Sequence, residues 1–349
     1  MSDLPTIPTF KTAHEMATFR RDVDWLVEGV MPRASFGLLF GDPGAGKSFL
    51  ALSLSCAVAS GLDWQGRAVR AGSVVYLAGE GHGGIGRRMA AWAHHSGASL
   101  ESLPVWISQY ATNFLDPGDM AETIADLKAA LESVALIVVD TLARSTPGMN
   151  EDRASEMGAF VQSCDNLRAD FPDATILVLH HSPHSDKSRA KGSVALKGAV
   201  DFEFGLLTTA EDGVVKLTCT KMKDGEAPAD MWLRFEGVDL ADGQTSAVLV
   251  ATDEPSARSA RSKRIKLTPN DKLLMLCLGA DPIEEEAVRA AYKQRHPSKN
   301  PETINKSYGR ARKRGLDRGW FVEDGTLLIP STAEMLKDRP DRTPGHEGQ

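Results

Sequence analysis

Residues 41–48 read Gly41-Asp42-Pro43-Gly44-Ala45-Gly46-Lys47-Ser48, a complete G-x-x-x-x-G-K-S phosphate loop. The glycines let the backbone wrap a polyphosphate and turn successive N–H groups inward. A helix beginning near Lys47 would add the positive end of its dipole. In this reading Lys47 reaches the β- and γ-phosphates and Ser48 holds Mg²⁺. The candidate nucleotide-binding set is Gly41, Asp42, Pro43, Gly44, Ala45, Gly46, Lys47, Ser48 and Phe49.

Two carboxylates join it. Glu80 lies between glycines in Gly79-Glu80-Gly81, directly after the apolar run Ser73–Ala78. A parallel strand ends there, at the edge where α/β proteins place ligand chemistry. Glu80 is therefore the candidate general base that polarises the water attacking the γ-phosphate. Asp140 closes Ala135–Asp140, an unbroken apolar run of Walker B type. It emerges beside the phosphate loop, where it can hold the Mg²⁺ shell partly through water. A third polar end follows the strand Thr175–Leu179, at His180-His181. His180 and His184 have i, i+4 spacing, but Pro183 breaks a helix there, so a phosphate sensor is preferred to a metal site.

These residues need strands that end together. The strands are read at Phe36–Phe40, Ser73–Ala78, Val105–Ser108, Ala135–Asp140 and Thr175–Leu179, the first, second and fourth of them buried. The helices are read at Phe49–Ala59, Arg87–His95, Asp119–Glu132 and Ala154–Asp170. Trp25 is read as a core cap rather than a cover for a base. Ser185–Lys197 is a basic loop carrying Lys187, Arg189, Lys191 and Lys197, able to track a phosphate backbone in a ring channel. Antiparallel strands follow at Asp201–Leu207 and Val214–Thr220. The second leads into Lys221-Met222-Lys223, whose lysines point the same way and could reach a phosphate on a neighbouring subunit. Met231–Phe235 and Ala247–Val250 complete the sheet.

The 349 residues, 42% hydrophobic and 25% charged, suit a soluble protein of two domains. No apolar run reaches the roughly 20 residues of a membrane span. Four cysteines without paired spacing point to a reducing, cytoplasmic setting. Net charge is −7, yet Arg258–Lys266 holds five basic residues and no acidic ones. That stretch reads as a linker, 251–268, between a core at 21–250 and a small domain at 269–330. Residues 1–20 and 331–349 read as loose ends. In the small domain, helices at Asn270–Leu278, Glu284–Tyr292 and Pro301–Arg318 precede a hairpin with an Asp-Gly turn. That is the order of a winged helix-turn-helix. Its third helix offers Thr303, Asn305, Lys306, Arg310, Arg312 and Lys313 to a DNA groove.

GDPGAGKS, VVYLAGEG, ALIVVDT and LVLHHSP, in this order, resemble the RecA-like ATPase core. Within it they resemble the plasmid RepA-type hexameric replicative helicases and their phage and prophage relatives, over roughly residues 20–250. The resemblance implies an α/β fold with a mostly parallel sheet, with ATP and Mg²⁺ as ligands. It implies single-stranded DNA in the channel of a homo-hexamer, with no membrane partner. By it Glu80 is the catalytic base, Asp140 the Walker B carboxylate and His181 the favoured sensor. Residues 144–153 and 185–197 match the two loops that line the channel. The finger arginine of the family would fall near Asp201, which is not basic. Lys221 and Lys223, similar to the paired trans-acting cations of DnaB-like ATPases, are expected instead.

Overall fold

The computed structural model describes residues 12–14, 23–183, 189–209, 213–241, 243–254, 268–278, 283–298, 300–317, 321–324 and 326–330. They fall into two compact units, Met1–Arg261 and Ser262–Gln349.

The first unit opens with the short antiparallel pair β1 (Trp25–Val27) and β2 (Met31–Pro32). Trp25 lies against Gly225, a packing role. Then come β3 (Phe36–Gly41), α1 (Lys47–Ser60), β4 (Val74–Ala78), α2 (His82–Ser96), β5 (Val105–Ile107), α3 (Pro117–Ala130), β6 (Leu136–Asp140), the single turn α4 (Leu142–Ser145), α5 (Ala154–Asp170) and β7 (Thr175–His181). The short α6 (Val194–Ala199) leads to β8 (Phe202–Thr208), β9 (Val214–Met222), β10 (Met231–Asp239) and β11 (Thr245–Thr252).

One nine-stranded sheet carries the unit, in the order β11-β10-β9-β8-β3-β7-β6-β4-β5. From β8 to β5 every neighbour is parallel, and β9 to β11 extend the sheet as antiparallel strands. The central parallel strands β3, β4, β6 and β7 are buried on both faces, which is why they read as unbroken apolar runs, whereas the edge strand β5 leaves Trp106 exposed. Alternate residues feed two cores. Val74, Tyr76 and Ala78 face the core shared with α1, whereas Val75 and Leu77 face the one shared with α5. Glycine makes room between β3 and β8, since a Cβ on Gly37 would lie 2.0 Å from the Phe202 ring.

Several boundaries differ from the sequence reading. α2 begins at His82 rather than Arg87, so its first turns include Gly83, Gly84 and Gly86. Glycine's poor helix propensity hid them, and tertiary placement overrides it. β7 runs through both histidines. Lys197 is helical, not in a loop, because the Ser193 hydroxyl caps the Ala195 N–H and starts α6. His184 and Lys187 lie outside the described residues.

The second unit holds α7 (Pro269–Leu278), β12 (Ile283–Glu284), α8 (Glu285–Arg295), α9 (Pro301–Asp317), β13 (Phe321–Asp324) and β14 (Leu327–Pro330). Its antiparallel sheet has the order β12-β14-β13. Leu274, Leu278, Val288, Tyr292, Ile304, Tyr308 and Phe321 form its core. Gly325 of the expected Asp-Gly turn, most of the 251–268 segment and all of 331–349 lie outside the described residues.

Candidate active site

The chain leaves β3 through α1 and re-enters the sheet at β4, with β7 and β6 between them. This places the ends of β3, β7, β6 and β4 side by side. Gly41 pairs with His181, and Ala78 with Asp140. Residues 140 positions apart in sequence thus meet at one sheet edge.

The phosphate loop has the backbone its glycines predict. Gly44 has φ +77° and Gly46 φ +99°, left-handed values that side chains with a Cβ rarely adopt. A Cβ on Gly41 would stand 2.4 Å from the Leu206 carbonyl, and one on Gly46 would stand 2.4 Å from the Phe235 ring. Phe235 also meets Phe49 edge-on at 5.3 Å, so β10 braces the loop from outside.

Lys47 is buried and folds back on the loop. Its Nζ donates to the Gly41 carbonyl at 2.9 Å and the Asp42 carbonyl at 3.0 Å, and lies 3.3 Å from His181 Nδ1. Burial pulls its pKa down, against the opposing pull of Asp140, Asp42 and Glu80. Burial and the Lys47 charge also lower the pKa of His181, so its ring is neutral at pH 7. With Nδ1 accepting from the ammonium, Nε2 carries the ring hydrogen and serves as a donor.

Asp140 is 3% exposed. Its Oδ2 accepts from the Tyr76 hydroxyl at 2.6 Å. Burial pushes its carboxyl up, and hydrogen bonds from Tyr76 and Ser48 pull it back down. Oδ1 is buried with no hydrogen-bond partner among the described residues. An orphaned carboxylate oxygen on a residue that also bonds the Ser48 hydroxyl is the donor set a magnesium ion takes, directly or through water. The residues present therefore fit Mg²⁺, and the loop fits a polyphosphate. The Asp140–Thr141 peptide is cis.

Glu80 stands at the same edge, and its carboxylate accepts from Arg144 Nε at 2.9 Å. Gly79 is what admits that arginine, because a Cβ there would lie 2.4 Å from Arg144 Cβ.

The AAA domain family matches residues 4–187, more than half of the chain. The chain belongs to this family. This AAA domain protein is a P-loop ATPase, and its large, mostly parallel sheet is the expected α/β core. Two solved structures are similar to it. The RadB recombinase is 16% identical with a TM-score of 0.44, covering 58% of this chain and 87% of that one. A KaiC-like protein, PH0186 of the hyperthermophilic archaeon Pyrococcus horikoshii OT3, is 16% identical with a TM-score of 0.44, covering 66% and 94%. No curated protein matches the chain. No helix among the described residues is long and apolar enough to cross a membrane.

The expected cations are more scattered. Lys221 Nζ donates to the Lys197 and Gly198 carbonyls at the end of α6. Lys223 pairs with Asp201 at 3.3 Å. Phe202 pairs with Gly37 and Met222, so both lysines lie at the opposite sheet edge from their own phosphate loop. Asp201 is structural, accepting the Phe36 N–H at 2.9 Å. Lys197 is tied to the buried Glu203 at 2.9 Å, and Lys191 to Glu151 at 3.0 Å. In the second unit Lys306, Arg310 and Lys313 are exposed on α9, with Lys306 paired to Glu302 one turn earlier at 2.6 Å. Arg312 turns aside to Glu285 at 2.9 Å, because at this helical position it faces α8.

Sequence reasoning missed three residues. Tyr76 was visible only as the one hydroxyl in an apolar strand. Arg144 was read as part of a loop, with no sign of its bond to Glu80. Arg88, whose guanidinium lies 4.5 Å over the Phe49 ring, gave no signal. The Tyr76 contact is testable. Tyr76→Phe strips the donor from a buried carboxylate and should cost about 1–3 kcal/mol of stability. It should also change the Mg²⁺ dependence of ATP hydrolysis, read by metal titration of the rate. An unchanged metal dependence would limit Tyr76 to packing.

Proposed function

We propose that this ATPase is a DNA motor, a RepA-type replicative helicase acting as a homo-hexamer on single-stranded DNA of a plasmid, phage or prophage. One observation carries the reading. Both segments expected to line a channel are bonded to residues of the candidate site. Arg144, which begins the 144–153 segment, holds Glu80. The Lys191 N–H donates to the His181 carbonyl at 2.8 Å, and the His180 ring lies 2.8 Å from the Lys191 carbonyl. The two segments also join each other, since the Ser193 N–H donates to the Glu151 carbonyl at 2.9 Å. A strand pulling on either segment would move a group at the reacting phosphate.

Bound Mg²⁺ would neutralise charge on the β- and γ-phosphates. The chain does the rest. Lys47 exchanges its loop carbonyls for phosphate oxygens. Ser48 and Asp140 would hold the metal shell. Glu80, freed from Arg144, takes the proton of the attacking water. His181 Nε2 donates to a γ-phosphate oxygen. Lys221 or Lys223 of a neighbouring copy would add charge to the transition state, exchanging its present partners to do so.

The order of α7, β12, α8, α9, β13 and β14 and the β12-β14-β13 sheet support a winged helix for the second unit, with α9 as its DNA-reading helix. The exposed cations of α9 favour a second reading, an ATP-switched DNA-binding protein with the second unit as its main contact. ATP hydrolysis with and without oligo-dT separates the two. Stimulation that is lost in Lys47→Ala supports the motor. A rate indifferent to DNA moves the conclusion to the switched binder.

A further inference from the structure

The helix α9 contains two glycines, and the structure explains only one. A Cβ on Gly315 would lie 2.3 Å from the Phe321 ring, so packing demands glycine there. Gly309 sits mid-helix, exposed, and a Cβ there would meet nothing within 4 Å. Glycine inside a helix is costly relative to alanine. Among the described residues no close packing offsets that cost at Gly309.

Its neighbours supply a reason. Lys306 lies three residues before it and Lys313 four after, which puts both on its face one turn away. Arg310 and Asn305 are exposed beside it. Glu302 on the same face pairs with Lys306 at 2.6 Å, an exposed pair that a phosphate can displace, so the bare backbone at Gly309 is the low point of a helix face of net positive charge. We propose that Gly309 is the point where the backbone of α9 comes closest to duplex DNA, with Lys306 and Lys313 on the flanking phosphates. This rests on the DNA-binding reading of the second unit and adds the mode of docking.

Duplex DNA is the ligand that fits. A 17-residue helix is about 25 Å long and enters the major groove of B-form DNA, whereas the deep, narrow major groove of RNA excludes it. Single strands are held by stacking on exposed aromatic rings. The aromatic residue within α9, Tyr308, is 4% exposed. Each side chain placed at Gly309 would push the helix out of the groove by its own thickness, and would affect phosphate contacts made through Lys306 and Lys313 together.

The test uses the full chain without nucleotide and a duplex of about 30 base pairs, titrated by fluorescence anisotropy at several salt concentrations. Hydrogen exchange of the α9 amides is read in parallel. Gly309→Ala should slow that exchange about fourfold through its better helix propensity, yet weaken duplex binding. Gly309→Leu should weaken it at least about tenfold, the loss expected when a helix is displaced from several phosphates. Lys313→Ala should lower the salt slope by about one. Wild-type affinity in Gly309→Leu, with Lys313→Ala still weakened, overturns the docking mode and leaves the DNA reading standing. A wild-type chain that ignores the duplex overturns both. Faster exchange in Gly309→Ala gives glycine a folding role and also overturns the proposal.

Discussion

Glu80→Gln is expected to lower the kcat of ATP hydrolysis by about 10²–10⁴-fold, the range for loss of a general base. Glutamine keeps the shape and an acceptor oxygen for Arg144, so the substitution isolates the proton-accepting step. Lys47, Ser48 and Asp140 are untouched, and ATP affinity should hold. The ion pair to be broken is weak. The side chains of Arg144 and Glu80 are 61% and 44% exposed, and exposed pairs contribute little. Arg144→Ala should therefore leave hydrolysis active while changing its response to single-stranded DNA. Single-turnover hydrolysis beside nucleotide binding checks both. An unchanged kcat in Glu80→Gln would remove Glu80 from the chemistry and leave Asp140 and His181 as the groups able to engage the water.

Arg314→Ala is expected to destabilise the second unit by about 3 kcal/mol, the low end for breaking a buried ion pair from one side. Asp271 is fully buried, and Arg314 meets its Oδ1 through both Nε at 2.9 Å and a terminal nitrogen at 2.7 Å. Among the described residues, the carboxylate without Arg314 keeps the Thr268 donors alone, among them the Thr268 N–H at 2.9 Å. The low end applies because the Arg314 side chain is 33% exposed. Burial alone would raise the Asp271 pKa. Hydrogen bonds from Arg314 and Thr268 outweigh it and hold the carboxyl below its ordinary value. A depressed folded-state pKa gives stability that is present above the unfolded value of about 3.9 and lost as pH falls through the folded one. The gap between wild type and variant should thus be widest near neutrality and narrow below about pH 4. Urea unfolding followed by hydrogen exchange of the α7 and α9 amides reads it. A gap that stays constant with pH would mean that Arg314 acts through packing alone.

The sequence by itself determined the local chemistry. Gly44 and Gly46 specify left-handed backbone, and the apolar runs ending at Gly41, Ala78 and Asp140 specify buried parallel strands. The motif from Gly41 to Ser48 fixed the loop and the start of α1 together, because short-range sterics decide both. Its weak points were glycines and histidines. Propensity placed Gly83 to Gly86 outside a helix and ended β7 before His180, and packing against neighbouring strands decided otherwise.

Only the tertiary structure decided which ends meet. Strand order is set by burying two faces of one sheet, and no local signal records that β7 lies between β3 and β6. That order brings His181 to Lys47 and leaves Oδ1 of Asp140 buried without a hydrogen-bond partner among the described residues. Side-chain partners were equally hidden. Tyr76 on Asp140, Arg144 on Glu80 and Arg312 turned toward Glu285 are contacts between distant segments. A basic residue in a sequence looks the same whether it faces solvent or a buried carboxylate. Lys197 and Lys313 are both cations in basic stretches, and the fold alone gives one to Glu203 and leaves the other exposed.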